Sequence, residues 1–142
     1  MIYFIHIINI LQCKCGYQSY SFENIMDIPL LFSNDRDNNN VNEMLDMYFE
    51  ESNVDWGVKC VKCKSKRSHV KMTRFFKLPD VWWYCRYRGS IREEERKIIQ
   101  NVNFNDTIDI RKYVDGDSYW KKESVYQLYG VAYHQGSIDF EP

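Results

Sequence analysis

The sequence predicts an α+β fold dominated by antiparallel strands, with one helix and a small finger pinned by cysteines. Three observations carry this. Apolar and polar residues alternate with period two in the stretch from Lys66 and again from Val125 to Gln135. Only Val41, Met44, Leu45, Tyr48 and Phe49 recur at helical spacing. Two close cysteine pairs, Cys13-Lys-Cys15 and Cys60-Val-Lys-Cys63, stand far apart in the sequence.

The pairs read as one zinc site built from two knuckles, a zinc ribbon. Zinc takes four thiolates in a tetrahedron, and a short spacer holds both sulfurs of a pair on one side of a tight turn. The second pair has the usual spacing, and the first is tighter. His69, shortly beyond Cys63, is the substitute ligand if the first pair supplies only one sulfur. A disulfide framework fits poorly, because five cysteines is an odd count and no export signal is evident. A redox pair would need a βαβ context after Cys60, which the sequence does not offer. Cys85 sits in an aromatic run and reads as a buried core thiol.

Met1 to Leu11 reads as a buried strand leading into the first knuckle. It lacks the positive flank and cleavage site of a signal peptide, and it is too short to span a bilayer as a helix. Tyr17 to Phe22 reads as a strand, and Ile25 to Phe32 continues it with Pro29 at an edge or bend. Ser33 to Asn40 has nothing to bury and is predicted to be a loop. Asn40 can cap the helix that follows, whose opposite face carries Asn42, Glu43, Asp46 and Glu50.

Period-two alternation from Lys66 predicts a strand ending at Leu78-Pro79. Val81 to Tyr87 is apolar on both faces and predicts a central strand covered from two sides. Arg96 to Phe104 predicts another strand, Ile108 to Tyr113 a short element, and Val125 to Gln135 a last strand turning at Gly136. No element follows to close the sheet, so a piece of a larger domain is expected.

At 142 residues the chain has the size of one domain. Nineteen basic residues nearly balance twenty acidic ones, leaving no surplus to attract nucleic acid or an anionic membrane. A protein partner is expected instead, and eleven tyrosines and four tryptophans suit a contact surface. Thiols kept for a metal point to a reducing interior compartment, cytoplasm or nucleus.

The order of these segments resembles the ubiquitin-specific proteases over nearly the whole chain. The residues that carry the resemblance run from Leu11-Gln-Cys-Lys-Cys-Gly-Tyr-Gln-Ser through Asp27-Ile-Pro-Leu, the helix with Tyr48-Phe49, and Cys60-Val-Lys-Cys63. They continue through Lys77-Leu-Pro, Arg96-Lys-Ile and Asp109-Ile-Arg-Lys-Tyr113 to Tyr126-Gln-Leu-Tyr-Gly-Val-Ala-Tyr-His-Gln-Gly136. The resemblance implies part of a papain-like cysteine protease fold, with zinc-bearing fingers over about 11–78 and palm strands over about 79–142. It implies ubiquitin as the partner and, for the family, thiol-dependent cleavage after ubiquitin's C-terminal glycine.

The departures bear on activity. The family's Asn-x-x-Asn-Thr-Cys box and Gly-His-Tyr motif are absent from the sequence, and Arg86-Tyr87-Arg88-Gly89 stands where the family has Leu-Lys-Arg-Phe. No catalytic residue is assigned. Cys85 has no histidine base beside it in sequence, and only proximity in space to His134 would provide one. His134 matches the non-catalytic histidine of a His-x-Gly turn, and the resemblance places His134 and Gly136 near the path of ubiquitin's tail. The competing readings are a non-catalytic zinc-ribbon interaction module and a remnant that does not fold alone.

Overall fold

The structure, a computed structural model, describes residues 4–31, 38–55, 57–66, 69–82, 84–86, 101–116 and 118–132. A four-stranded antiparallel sheet, in the order β2-β1-β6-β5, organises the first half of the chain. Its strands are β1 (Ile5–Cys13), β2 (Gln18–Ile25), β5 (Ser52–Val54) and β6 (His69–Lys77). The predicted strand before the first knuckle is therefore present, and β6 ends where Leu78-Pro79 was expected to stop it.

Cross-strand pairs share a face, so the register assigns each side chain to one face of the sheet. Asn9 pairs with Thr73 and accepts a hydrogen bond from its hydroxyl at 2.8 Å, while its amide donates to Glu23 at 2.9 Å. The opposite face pairs Ile8 with Phe22 and Ile10 with Tyr20. Between His6 and Ile7 the β1–β6 register slips by one residue, leaving Phe76 bulged. The bulge leaves Phe76 exposed, with its ring edge-on to Phe22 at 5.1 Å.

The helix α1 (Val41–Tyr48) forms as its spacing predicts, and the Asn40 side chain accepts from the Asn42 N–H at 2.9 Å. Val41, Met44 and Leu45 are buried against Ile5 and Ile7 of β1, Ile28 and Leu30 of β3 (Ile28–Leu30), and Phe75 of β6. The Phe49 ring lies between Phe75 at 4.6 Å and Tyr113 at 4.8 Å. Tyr113 belongs to a short 3-10 turn, Arg111–Tyr113, that enters the same core with Ile110 and Val114. Its hydroxyl donates to Asp46 at 2.8 Å, and Lys112 also reaches Asp46. Burial pushes the Tyr113 phenol up to about 12.

Several expectations need correction. Asn38–Asn40 is not loop but strand β4, paired in parallel with β8 (Asn101–Asn103). A partner distant in sequence satisfies this backbone, and no local pattern announces it. Pro29, by contrast, has the edge position expected of it, within β3, which pairs in parallel with β7 (Tyr84–Arg86), its one partner among the described residues. Of the strand expected at Val81 to Tyr87, Tyr84–Arg86 is strand, while Val81 and Trp82 precede it without regular pairing.

Ile108 belongs to β9 (Thr107–Asp109), separate from the Arg111–Tyr113 turn. The last strand is shorter than expected. β10 (Val125–Gln127) pairs with β9, and Leu128 to Ala132 continue without regular pairing. Residues 32–37, 87–100 and 133–142 lie outside the described residues.

Candidate metal centre

Both cysteine pairs sit at one end of the finger sheet because β1 runs antiparallel to β6. Cys13 closes β1 directly opposite His69, which opens β6, and the second pair lies in the connection between β5 and β6. The two knuckles share a local plan. In the first, the Cys13 N–H donates to the Tyr17 carbonyl and the Gly16 N–H to the Cys13 carbonyl, each at 2.9 Å. In the second, the Cys60 N–H donates to the Ser65 carbonyl and the Lys64 N–H to the Cys60 carbonyl, again at 2.9 Å.

In both knuckles the residue after the second cysteine turns the chain with positive φ, +83° at Gly16 and 58° at Lys64. Glycine adopts this conformation at no steric cost, whereas lysine strains. The sequence shows the glycine but not that Lys64 must follow it into the left-handed region.

The four sulfurs of Cys13, Cys15, Cys60 and Cys63 all lie within 4.8 Å of one another. The short separations cross between knuckles, 3.7 Å from Cys13 to Cys63 and 3.6 Å from Cys15 to Cys60. Metal–sulfur bonds of about 2.3 Å in a tetrahedron put sulfurs about 3.8 Å apart, and a disulfide would put them about 2.05 Å apart. The cysteines are free, and their spacing is that of a metal cage. The tight first pair brings both of its sulfurs to the cluster, which gathers without His69.

Electrostatics differ within the tetrad. Backbone N–H groups of Cys63 and then Lys62 favour the Cys60 thiolate against burial and hold its thiol down to about 6. The Cys15 N–H does the same for Cys13, but burial and the three neighbouring sulfurs outweigh it and push that thiol up to about 12. Four thiolates this close repel one another, and a divalent cation at their centre removes the conflict.

His134 and Gly136 lie outside the described residues. So does the Cys85 side chain, although the Cys85 backbone lies in β7. No described helix is long and apolar enough to cross a membrane.

Solved structures with this fold include chains of assemblies described as DUB modules. A chain of the SAGA Ubp8/Sgf11/Sus1/Sgf73 DUB module bound to ubiquitin aldehyde superposes with a TM-score of 0.76 at 19% identity, over 97% of this chain and 32% of that one. The module with a Ubp8 variant bound to monoubiquitin gives 0.67 at 19% identity, over 80% and 26%. A yeast SAGA DUBm with an Sgf73 mutant gives 0.65 at 19% identity, over 81% and 27%.

At such identities the likeness shows the fold alone, and the chain spans about a third or less of the length of each of these chains. No match was found among the curated proteins. The family model of ubiquitin carboxyl-terminal hydrolase matches residues 4–141, nearly the whole sequence, and the chain belongs to that family.

Proposed function

We propose that this chain forms the ubiquitin-holding fingers and palm of a ubiquitin-specific protease domain, with a structural zinc ion at Cys13, Cys15, Cys60 and Cys63. The observation that carries the reading is the convergence of two sequence-distant knuckles at one end of a sheet, in a chain of the ubiquitin carboxyl-terminal hydrolase family. A zinc ion held by four thiolates has no open position for water, so its role is to cross-link the finger. The fingers take in about 11–78 and the palm strands about 79–142.

One face of the finger sheet suits a protein contact. Tyr20, Phe22 and Phe76 are exposed there over Ile8 and Ile10, whereas the other face carries Ile5, Ile7 and Phe75 into the core alongside Asn9, Ser21 and Thr73. Large rings placed side by side bury much area at low entropic cost when a partner covers them. Two of the structurally similar assemblies are described as bound to monoubiquitin or ubiquitin aldehyde, which supports ubiquitin as that partner. The family resemblance assigns His134 and Gly136, which lie outside the described residues, to contact with ubiquitin's tail.

Hydrolysis is not part of the reading. Thiol proteolysis needs a thiolate, a base and a group that orients the base, and the sequence contains neither of the family's two catalytic motifs. Binding without turnover is the activity proposed for the chain by itself.

Fluorescence anisotropy of labelled ubiquitin titrated with zinc-loaded chain tests the reading. For a chain that spans about a third or less of the matched chains, a saturable rise with Kd on the order of hundreds of micromolar is expected. No rise at millimolar concentrations of folded, zinc-loaded chain rejects ubiquitin as the partner and leaves a zinc-ribbon module for some other protein.

A further inference from the structure

One edge of the finger sheet is β2, whose only partner among the described residues is β1. The opposite edge, β5, is three residues long, whereas β2 runs for eight. The β1–β2 register is unbroken along the whole strand, so no bulge turns this edge away. Proteins commonly guard such an edge with lysine, proline or an inward charge. β2 has neither lysine nor proline, and Glu23 is its one charged residue.

Backbone groups point alternately to the two sides of a strand. The Cys13 N–H donates to the Tyr17 carbonyl, so Ser19, Ser21 and Glu23, in step with Tyr17, also turn their N–H and C=O groups toward β1. Gln18, Tyr20, Phe22 and Asn24 turn theirs outward, where no strand among the described residues meets them.

We propose that this edge pairs with the same edge of a second copy of the chain, antiparallel about a two-fold axis through Ser21. In that register Tyr20 of one copy faces Phe22 of the other, and Gln18 faces Asn24. Every outward N–H and C=O from Gln18 to Asn24 then has a partner. A slip of one residue would set outward groups against inward ones and turn the two aromatic faces to opposite sides. A slip of two would centre the axis on Tyr20 or Phe22 and push a terminal pair beyond β2, onto Gly16 or Met26 respectively. The strand is thus complementary to itself, as a two-fold interface requires. Glu23 faces Ser19 across the axis, which keeps the two carboxylates apart, and a net charge of -1 leaves little repulsion between copies. Tyr20 and Phe22 of both copies join in one aromatic band, extended on each side by the Phe22–Phe76 contact. The pairing uses the backbone edge and does not depend on what covers the aromatic face.

Sedimentation equilibrium of the chain in reducing buffer with zinc present tests the proposal. An edge contact buries little area, so dimerisation with Kd on the order of 100 µM is expected. Ser21→Lys and Ser21→Glu each set like charges face to face across the axis and are expected to weaken it roughly two- to fivefold, while their equimolar mixture associates at least as well as wild type. Asn24→Pro removes an outward N–H and no bond to β1, and is expected to weaken dimerisation about tenfold or more. The Ser21 and Asn24 side chains are exposed, and unchanged circular dichroism of each variant separates lost pairing from lost folding. A wild-type chain that stays monomeric at millimolar concentration overturns the proposal. A dimer that all three variants leave intact also overturns it, because the contact then lies elsewhere. Weakened Ser21 variants whose mixture does not recover overturn the pairing about Ser21.

Discussion

Replacing Lys64 with glycine is expected to tighten metal binding, an unusual direction for a substitution beside a ligand. Lys64 holds φ at 58°, and its N–H bond to the Cys60 carbonyl ties it to that turn. An L-residue in left-handed backbone costs about 1–2 kcal/mol. Glycine relieves that cost but loses about 0.5–1 kcal/mol through the greater freedom of its unfolded chain. The Lys64 side chain is exposed, so little packing is lost. The net gain is about 0.5–1 kcal/mol.

Because the knuckle closes on the metal, that gain appears as roughly two- to fivefold tighter zinc binding, at about 1.4 kcal/mol per tenfold. Gly16→Ala is the mirror experiment. A Cβ there meets nothing within 4 Å, so its whole effect comes from φ of +83° and is of opposite sign. Chelator competition on the three proteins reads both changes. If the two variants move affinity in the same direction, or Lys64→Gly weakens it, the shared knuckle geometry is wrong.

Phe75 is fully buried between Phe49 and Trp82, and Phe75→Ala is expected to destabilise by about 3–5 kcal/mol in denaturant unfolding; a loss under about 1 kcal/mol would contradict the packing. Asp46 is held below the usual carboxylate value first by Lys112, and its acceptance from the Tyr113 hydroxyl adds to this against partial burial. A depressed folded value stabilises above the unfolded value near 4 and is lost as pH falls through the folded one. Asp46→Asn should therefore flatten the acid limb of stability against pH. Exposure of the pair keeps the effect under about 1 kcal/mol, and an unchanged limb would remove Asp46 from the account. A fluorogenic ubiquitin C-terminal substrate should show no turnover, whereas turnover abolished by Cys85→Ala would make Cys85 the nucleophile.

Local chemistry was legible wherever a pattern is written in consecutive residues. The spacing of Val41, Met44 and Leu45 and the Asn40 cap yielded the helix, and alternation up to Leu78-Pro79 yielded β6. The cysteine pairs announced a four-sulfur cluster because spacing alone restricts how two sulfurs can face one centre. Features created by distant contacts stayed hidden. Asn38–Asn40 reads as a loop until Asn101–Asn103 pairs with it, and the Phe76 bulge exists only in register with β1. Lys64 looks like any surface lysine, and His69 like a spare ligand, until the sheet sets one in a left-handed turn and the other opposite Cys13.

The central claim is that a metal-ordered finger holds ubiquitin, and 15N-labelled ubiquitin titrated with the chain before and after chelation tests it most directly. Zinc-loaded chain is expected to shift a contiguous set of ubiquitin amide resonances, and removal of the metal should reverse those shifts as the finger loses its cross-link. Unperturbed ubiquitin spectra with saturating, folded, zinc-loaded chain would contradict the account, as would shifts that persist unchanged after the metal is stripped.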